Sequence, residues 1–243
     1  MFVRNKMTSN PFTISPDQTV PDAQELMQQH NIRRLPVLKN GKLVGVVSKE
    51  DILRASPSQA TTLSIGEVNY LLAKTKVSQI MTKNPITISP NALLEEAATL
   101  MRDHSVSFLP VMDGDKLVGI ITESDIFDAF IELLGFREKG TRLTIEAVDA
   151  PGIMSKLTSI ISNFGANISN VAVYRGTAAK SAVVIGLDTL NTADIEKALE
   201  EEGFNIIYKL QNKHKKSYWC STNSHRIGVN PRSYSIVIAA VGH

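Results

Sequence analysis

Two heptapeptides carry the residues best suited to chemistry: Gly45-Val46-Val47-Ser48-Lys49-Glu50-Asp51 and Gly119-Ile120-Ile121-Thr122-Glu123-Ser124-Asp125. Each sets a hydroxyl and a carboxylate three residues apart, after an apolar run and at the expected start of a helix. Helix N-termini present free N–H groups that favour an anion, a hydroxyl adds a donor, and a carboxylate can accept from two neighbouring hydroxyls. The same spacing is a variant of the capping box, in which the two side chains satisfy the helix itself. Spacing alone leaves both readings open.

The elements that hold these residues are written twice. Residues 7–53 align without a gap on 81–127, and 21 of the 47 pairs are identical, beginning with MTSNPFTISP against MTKNPITISP. An offset of 74 exceeds the usual period of a solenoid, so two similar small domains packed together are expected. Phe12 to Ile14 and Ile86 to Ile88 read as short strands closed by Ser-Pro. A helix follows, capped by Thr19, with Val20, Ala23, Leu26, Met27 and His30 on one face; Leu94, Ala97, Leu100, Met101 and His104 repeat it. Then come LPVL and KLVGVVS about the turn Asn40-Gly41, matched by LPVM and KLVGIIT about Asp113-Gly114, and a last helix. The unit is β-α-β-β-α, too small to bury its sheet alone.

Residues 3–130 resemble tandem CBS domains in the opening Met-Thr…Pro, the mid-unit Leu-Pro-Val and the closing Gly-h-h-[Ser/Thr]-x-x-Asp, where h is apolar. The resemblance implies a disc of two units with clefts for adenine nucleotides. In that family Ser48 with Asp51, and Thr122 with Asp125, would contact phosphate and ribose hydroxyls. Arg33 and Arg34 stand before the first Leu-Pro-Val, where the family often supplies a cation to phosphate and guanidinium forks suit the task. Ser107 and Phe108 replace them in the second unit, so the clefts are expected to differ. Thr13, Ser15, Thr87 and Ser89 match positions that contact the base, although turn chemistry explains them equally well. His30 and His104 end their helices with no second ligand at metal spacing, so no metal is expected.

Between the units, Ser64-x-x-Glu67 opens a connector helix with Ile65, Val68, Leu71 and Leu72 as its apolar stripe. Beyond residue 140 the order becomes β-α-β-β-α-β, ferredoxin-like. Strand 143–148, the turn Asp149-Ala150-Pro151-Gly152, helix 153–164, a hairpin about Gly176, a helix to Glu202 and the strand FNIIYKL make it up. With Asp149 to Gly152 after its first strand and Asn167 before its second, this part resembles an ACT domain, often an amino-acid binder at dimer interfaces. Asp149, Gly152 and Asn167 match the family's ligand-contacting positions.

The fold class expected is therefore α/β (α+β): a CBS unit at 3–60, a connector at 61–76, a CBS unit at 77–135, an ACT domain at 141–211 and a basic tail at 212–243. CBS, CBS, ACT is the order of the AcuB-like acetoin-utilisation proteins. That resemblance implies a non-catalytic regulator of acetoin or acetate metabolism, homodimeric, with AMP, ADP, ATP or S-adenosylmethionine as regulatory ligand, an amino acid as second ligand, an unknown target protein and no required cofactor.

Composition agrees with a soluble regulator. The 243 residues are 43% apolar, Cys220 stands alone, and no apolar run approaches the roughly 18 residues of a membrane span. A cytoplasmic protein is expected. From Gly203 onward there is no Asp or Glu but six Lys and Arg, so the preceding residues hold 20 basic against 24 acidic groups. Nucleic-acid binding by the folded body gets no support. A DNA-binding regulator acting through HKKSYWCSTNSHR is the alternative to a poorly ordered extension, with SIVIAAV at 235–241 as a strand or a sticky segment. An enzyme would need a site that no Ser/His/Asp arrangement or phosphate loop supplies.

Overall fold

The structure, a computed structural model, describes residues 1–56, 64–175 and 180–213. The expected tail beyond 213, including Cys220 and the run 235–241, and the residues about Gly176 lie outside them. The chain divides into two compact units, one of Met1–Phe136 with Ser169–Ala172 and one that takes the rest of the chain from Arg137.

The first unit contains both repeats. In chain order its elements are β1 (Thr8–Ser9), α1 (Val20–Gln29), β2 (Arg34–Lys39), β3 (Lys42–Ser48), α2 (Lys49–Ala55), α3 (Ile65–Lys74), α4 (Val77–Ile80), β4 (Thr82–Lys83), α5 (Leu94–Asp103), β5 (Phe108–Asp113), β6 (Lys116–Thr122) and α6 (Glu123–Leu133). Helix α1 starts where Thr19 caps it: the Thr19 N–H donates to Asp22 Oδ2 at 2.8 Å, and Asp22 N–H donates back to Thr19 Oγ1 at 3.4 Å. Its buried face is Val20, Ala23 and Met27, and α5 buries the matching Leu94, Ala97 and Met101. The hairpin β2-β3 turns at Asn40 and Gly41, both at positive φ, as a tight two-residue turn requires.

The strands expected at 12–14 and 86–88 shrink to single parallel bridges, Ile14 to Val37 and Ile88 to Val111. Proline explains this. Pro11 with Pro16, and Pro85 with Pro90, bracket the segments and remove donors that a longer ladder would need. Instead the repeats exchange their leading segments. Strand β1 pairs with β6 of the second repeat, and β4 pairs with β3 of the first, giving two three-stranded sheets ordered β1-β6-β5 and β2-β3-β4. Val3 is buried in the second core with Ile88, Leu109, Val111 and Ile121, while Val77 is buried in the first with Ile14, Val20, Leu35 and Val47. Neither repeat completes its core alone.

This exchange explains the glycine of the Gly-h-h motif. A Cβ on Gly45 would lie 2.7 Å from Met81 Sδ and 2.9 Å from Thr82 O, and one on Gly119 would lie 2.5 Å from Met7 Sδ. Only glycine lets the exchanged segment approach so closely.

The connector forms as expected: Ser64 N–H donates to Glu67 Oε2 at 2.8 Å, and Leu72 packs on the first core. Leu71, expected inward, is exposed.

Beyond Phe136 the chain forms β7 (Gly140–Val148), α7 (Ile153–Asn163), β8 (Ile168–Arg175), β9 (Lys180–Leu187), α8 (Ala193–Glu201) and β10 (Asn205–Asn212), with one sheet ordered β10-β7-β9-β8. That is the ferredoxin-like arrangement read from the sequence. Leu143, Ile145, Leu157, Ile161, Ile185 and Leu199 are buried between sheet and helices. Phe164, expected inward, is exposed because α7 ends just before it.

Candidate functional site

A cleft of about 330 Å³ lies in the CBS-like unit between the repeats. One wall comes from the first repeat: Arg34 at the start of β2, Val46 and Ser48 on β3, and Glu50, Asp51 and Arg54 on α2. The other comes from the second: Thr82, Asn84, Pro85 and Ile86, and Ser105 to Phe108 with Pro110 where the chain enters β5. The volume falls near the lower end of the range for small-ligand pockets. Val46, Ile86, Val106 and Pro110 give apolar surface, and two arginines and two carboxylates give charge.

Arg34 crosses the cleft. Its Nη2 donates to Ser107 Oγ at 2.7 Å, and its guanidinium carbon lies 5.1 Å from the centroid of the Phe108 ring. Its Nε is buried and has no hydrogen-bond partner. Ser48 and Asp51 form the capping box: Ser48 N–H and Oγ–H donate to Asp51 Oδ2 at 2.8 and 2.6 Å, and Asp51 N–H donates to Ser48 Oγ at 3.2 Å. The Glu50 carboxyl is held below the usual carboxylate range, chiefly by its own backbone N–H, with smaller help from the Ser48 hydroxyl and the charges of Arg34 and Arg33.

Of the residues selected from sequence, the cleft brings together Arg34, Ser48 and Asp51. Arg33 is exposed and outside the lining, with its carbonyl accepting from Lys49 N–H at 2.9 Å. Alternation along the strand entry sends the two arginines to different sides. Thr122 and Asp125 build the same cap, with Thr122 N–H 2.8 Å from Asp125 Oδ2, but do not line this cleft. Thr13, Ser15, Thr87 and Ser89 also lie outside it. Ser15 and Ser89 accept from Asp17 N–H and Asn91 N–H at 3.3 and 3.2 Å, which is turn chemistry, and Thr13 and Thr87 are exposed.

In the second unit Asp149 Oδ2 accepts from Arg175 Nε at 3.2 Å, and Gly152, at φ 87°, opens α7. Asn167 N–H donates to Asp188 Oδ1 at 3.1 Å, and its carbonyl accepts from Asp188 N–H at the same distance. None of the three lines the cavity of about 250 Å³ found there, which Phe164, Ala166, Asp188, Asn191 and Asp194 bound. Among the described residues no group of His, Cys, Asp and Glu could hold a metal ion, and no helix is long and apolar enough to cross a membrane.

The CBS domain pattern matches residues 3–58 and 77–132, and the ACT domain pattern matches 141–204. A CBS domain-containing protein of Bacillus subtilis, YhcV, is 34% identical over 124 residues, which cover 51% of this chain and 81% of that protein. This chain belongs to the CBS domain proteins. Like them it carries a regulatory module, here followed by a second regulatory module of the ACT type. This CBS protein is also similar to a crystal structure of an acetoin utilisation protein (AcuB) from Vibrio cholerae, at 35% identity over 57% of this chain and 96% of that one, with a TM-score of 0.47. A structure of CBSX2 in complex with AMP is 30% identical, covering 54% of this chain and 96% of that one, with a TM-score of 0.45.

Sequence reasoning did not select Glu50, Arg54, Asn84 and Ile86, and it named Ser107 and Phe108 only as the residues that replace the arginines, yet all six are in the cleft wall of this CBS protein. A signal was present. Adding 74 to Arg33 and Arg34 gives Ser107 and Phe108, so matched positions of the two repeats face each other across the cleft.

Proposed function

We propose that the cleft between the repeats binds an adenine nucleotide as a regulatory ligand, with phosphate on Arg34 and ribose hydroxyls on Asp51. The observation that carries this reading is the buried, unpartnered Nε of Arg34. A guanidinium donor buried without an acceptor is costly, and an anion entering the cleft removes that cost. The cap engages Oδ2 of Asp51, so Oδ1 remains to accept from sugar hydroxyls. Ile86, Val106 and Pro110 supply apolar contact for a base.

On this reading the protein acts by binding and not by catalysis. The nucleotide favours one arrangement of a homodimer, and a target protein responds to that population shift. An amino acid at Asp149, Gly152 and Asn167 of the ACT domain is the second input. The order CBS, CBS, ACT resembles acetoin-utilisation regulators, and control of acetoin or acetate metabolism is the process we assign to it.

A thermal-shift series with AMP, ADP, ATP and S-adenosylmethionine tests the proposal on the full chain and on Asp51→Ala. A ligand that binds only the folded state raises the transition in proportion to the logarithm of its concentration. At least one should do so for the natural sequence and not for the variant. No response to any of the four at millimolar concentration would remove the nucleotide reading.

A further inference from the structure

Ser107 is held from two sides where the repeats meet. Its backbone carbonyl accepts from Glu123 N–H at 3.2 Å, which ties it to the first turn of α6, and its hydroxyl accepts from Arg34 Nη2 at 2.7 Å. Arg33, its counterpart in the first repeat, makes the same backbone bond, its carbonyl accepting from Lys49 N–H at 2.9 Å. The fold therefore fixes this backbone position whatever side chain it carries. The hydroxyl of Ser107 is not needed for that bond, and it lines the cleft.

A hydroxyl offers one donor and two acceptor positions, and a guanidinium can only donate. Ser107 thus uses an acceptor position on Arg34 and keeps its proton, which no acceptor takes among the described residues. Arg34 is only partly satisfied as well. Its Nε is buried without a partner, and of the two N–H groups on Nη2 one serves Ser107. Nε and Nη2 form one edge of the planar fork, which suits two oxygens of a phosphate. Three donors from two different repeats therefore lie together within the span of one phosphate group: Nε–H, the second N–H of Nη2 and the Ser107 O–H.

We propose that Ser107 is the second phosphate-binding residue of the cleft: it positions the Arg34 guanidinium by accepting from Nη2, and it donates its own proton to a phosphate oxygen. This rests on the nucleotide reading above and adds a residue of the other repeat to it. A long side chain that is already held loses less freedom when a ligand arrives. Phe108 under the guanidinium restricts Arg34 in the same way. A nucleoside without phosphate gains nothing from Ser107.

Calorimetric titration of AMP and of adenosine into the natural protein, Ser107→Ala and Ser107→Thr tests this. Ser107→Ala deletes the hydroxyl and keeps the backbone bond to Glu123, and it should bind AMP about tenfold more weakly, the loss expected for one hydrogen bond to a charged group. Ser107→Thr retains a hydroxyl and should restore most of that affinity. Adenosine should bind all three proteins alike, which also reports that the variants are folded. Unchanged AMP affinity in Ser107→Ala overturns the proposal. So does an equal loss for adenosine, or a loss that Ser107→Thr does not recover, because either assigns Ser107 a purely structural role. If the natural protein binds neither ligand, the nucleotide reading fails and this proposal fails with it; if it binds AMP and Ser107→Ala binds it equally well, only the role of Ser107 fails.

Discussion

Arg34 lies over the ring of Phe108, its own counterpart in the repeat, with 5.1 Å between guanidinium carbon and ring centroid. Two positions separated by the repeat offset can touch only where the two copies meet about their shared pseudo-symmetry. The cleft is therefore asymmetric at its centre: one copy contributes a cation there and the other an aromatic ring. Matched positions of a duplicated unit thus differ in character where they meet, and the proposed phosphate side of the cleft is the one that carries Arg34.

That arrangement makes Arg34 the first residue to remove. Arg34→Met keeps much of the packing on Phe108 and deletes the charge and its donors. Hydrogen bonds to charged groups contribute about 1.5–3 kcal/mol, so AMP affinity should fall about 10- to 100-fold by calorimetry. Adenosine affinity should change little. Equal losses for both ligands would place the phosphate elsewhere.

The two caps permit a matched comparison. Asp51→Ala and Asp125→Ala each break the same capping box, and each should cost about 1 kcal/mol of stability in urea denaturation. Only Asp51→Ala should also weaken nucleotide binding, because only Asp51 lines the cleft. Differing stability losses would show that one carboxylate does more than cap its helix.

Strand exchange predicts intolerance at two glycines. Gly45→Ala and Gly119→Ala each place a methyl within 3 Å of a methionine sulfur on the exchanged segment. Overpacking of this kind costs about 1–3 kcal/mol. Met81 and Met7 are flexible enough to absorb part of it, so a double variant with the facing methionine changed to Ala should recover stability. Failure to recover would place the strain in the backbone contact with Thr82 O or Thr8 O.

Much of this was legible in the sequence, and the reasons differ by element. The β-α-β-β-α order and the ACT sheet followed from apolar periodicity and turn residues, which are local. The cap at Thr19 and the capping boxes at Ser48, Ser64 and Thr122 followed from residue type and spacing, also local. The identity of the cleft wall was not legible, because Ile86 and Ser107 share it with Arg34 through the packing of one repeat on the other, which no local pattern encodes. For the same reason, strands were expected at 12–14 and 86–88, when the paired strands lie a few residues earlier. Arg33 and Arg34 could not be told apart before the register of β2 was known.

Acid stability carries a further expectation. The Asp22 carboxyl is held below its ordinary value of 3.8, chiefly by the Thr19 backbone N–H and then by the Thr19 hydroxyl. A carboxyl depressed by folding stabilises the native state fully above its unfolded value, and that contribution disappears as pH falls through the lower folded value. Asp22→Asn should therefore unfold more readily than the natural protein at pH 7. The gap should close below about pH 3–4 as the natural carboxyl protonates. Urea denaturation across that range measures it, and a gap that persists at low pH would assign the effect to shape and not to charge.

The central claim, one nucleotide site built on Arg34 and Asp51, is tested most directly by calorimetric titration of AMP into the natural protein, Asp51→Ala and Asp125→Ala side by side. Saturable binding at one site per chain is expected in the natural protein and in Asp125→Ala, and its loss in Asp51→Ala. Two equivalent sites, or loss of binding in Asp125→Ala with retention in Asp51→Ala, would contradict it.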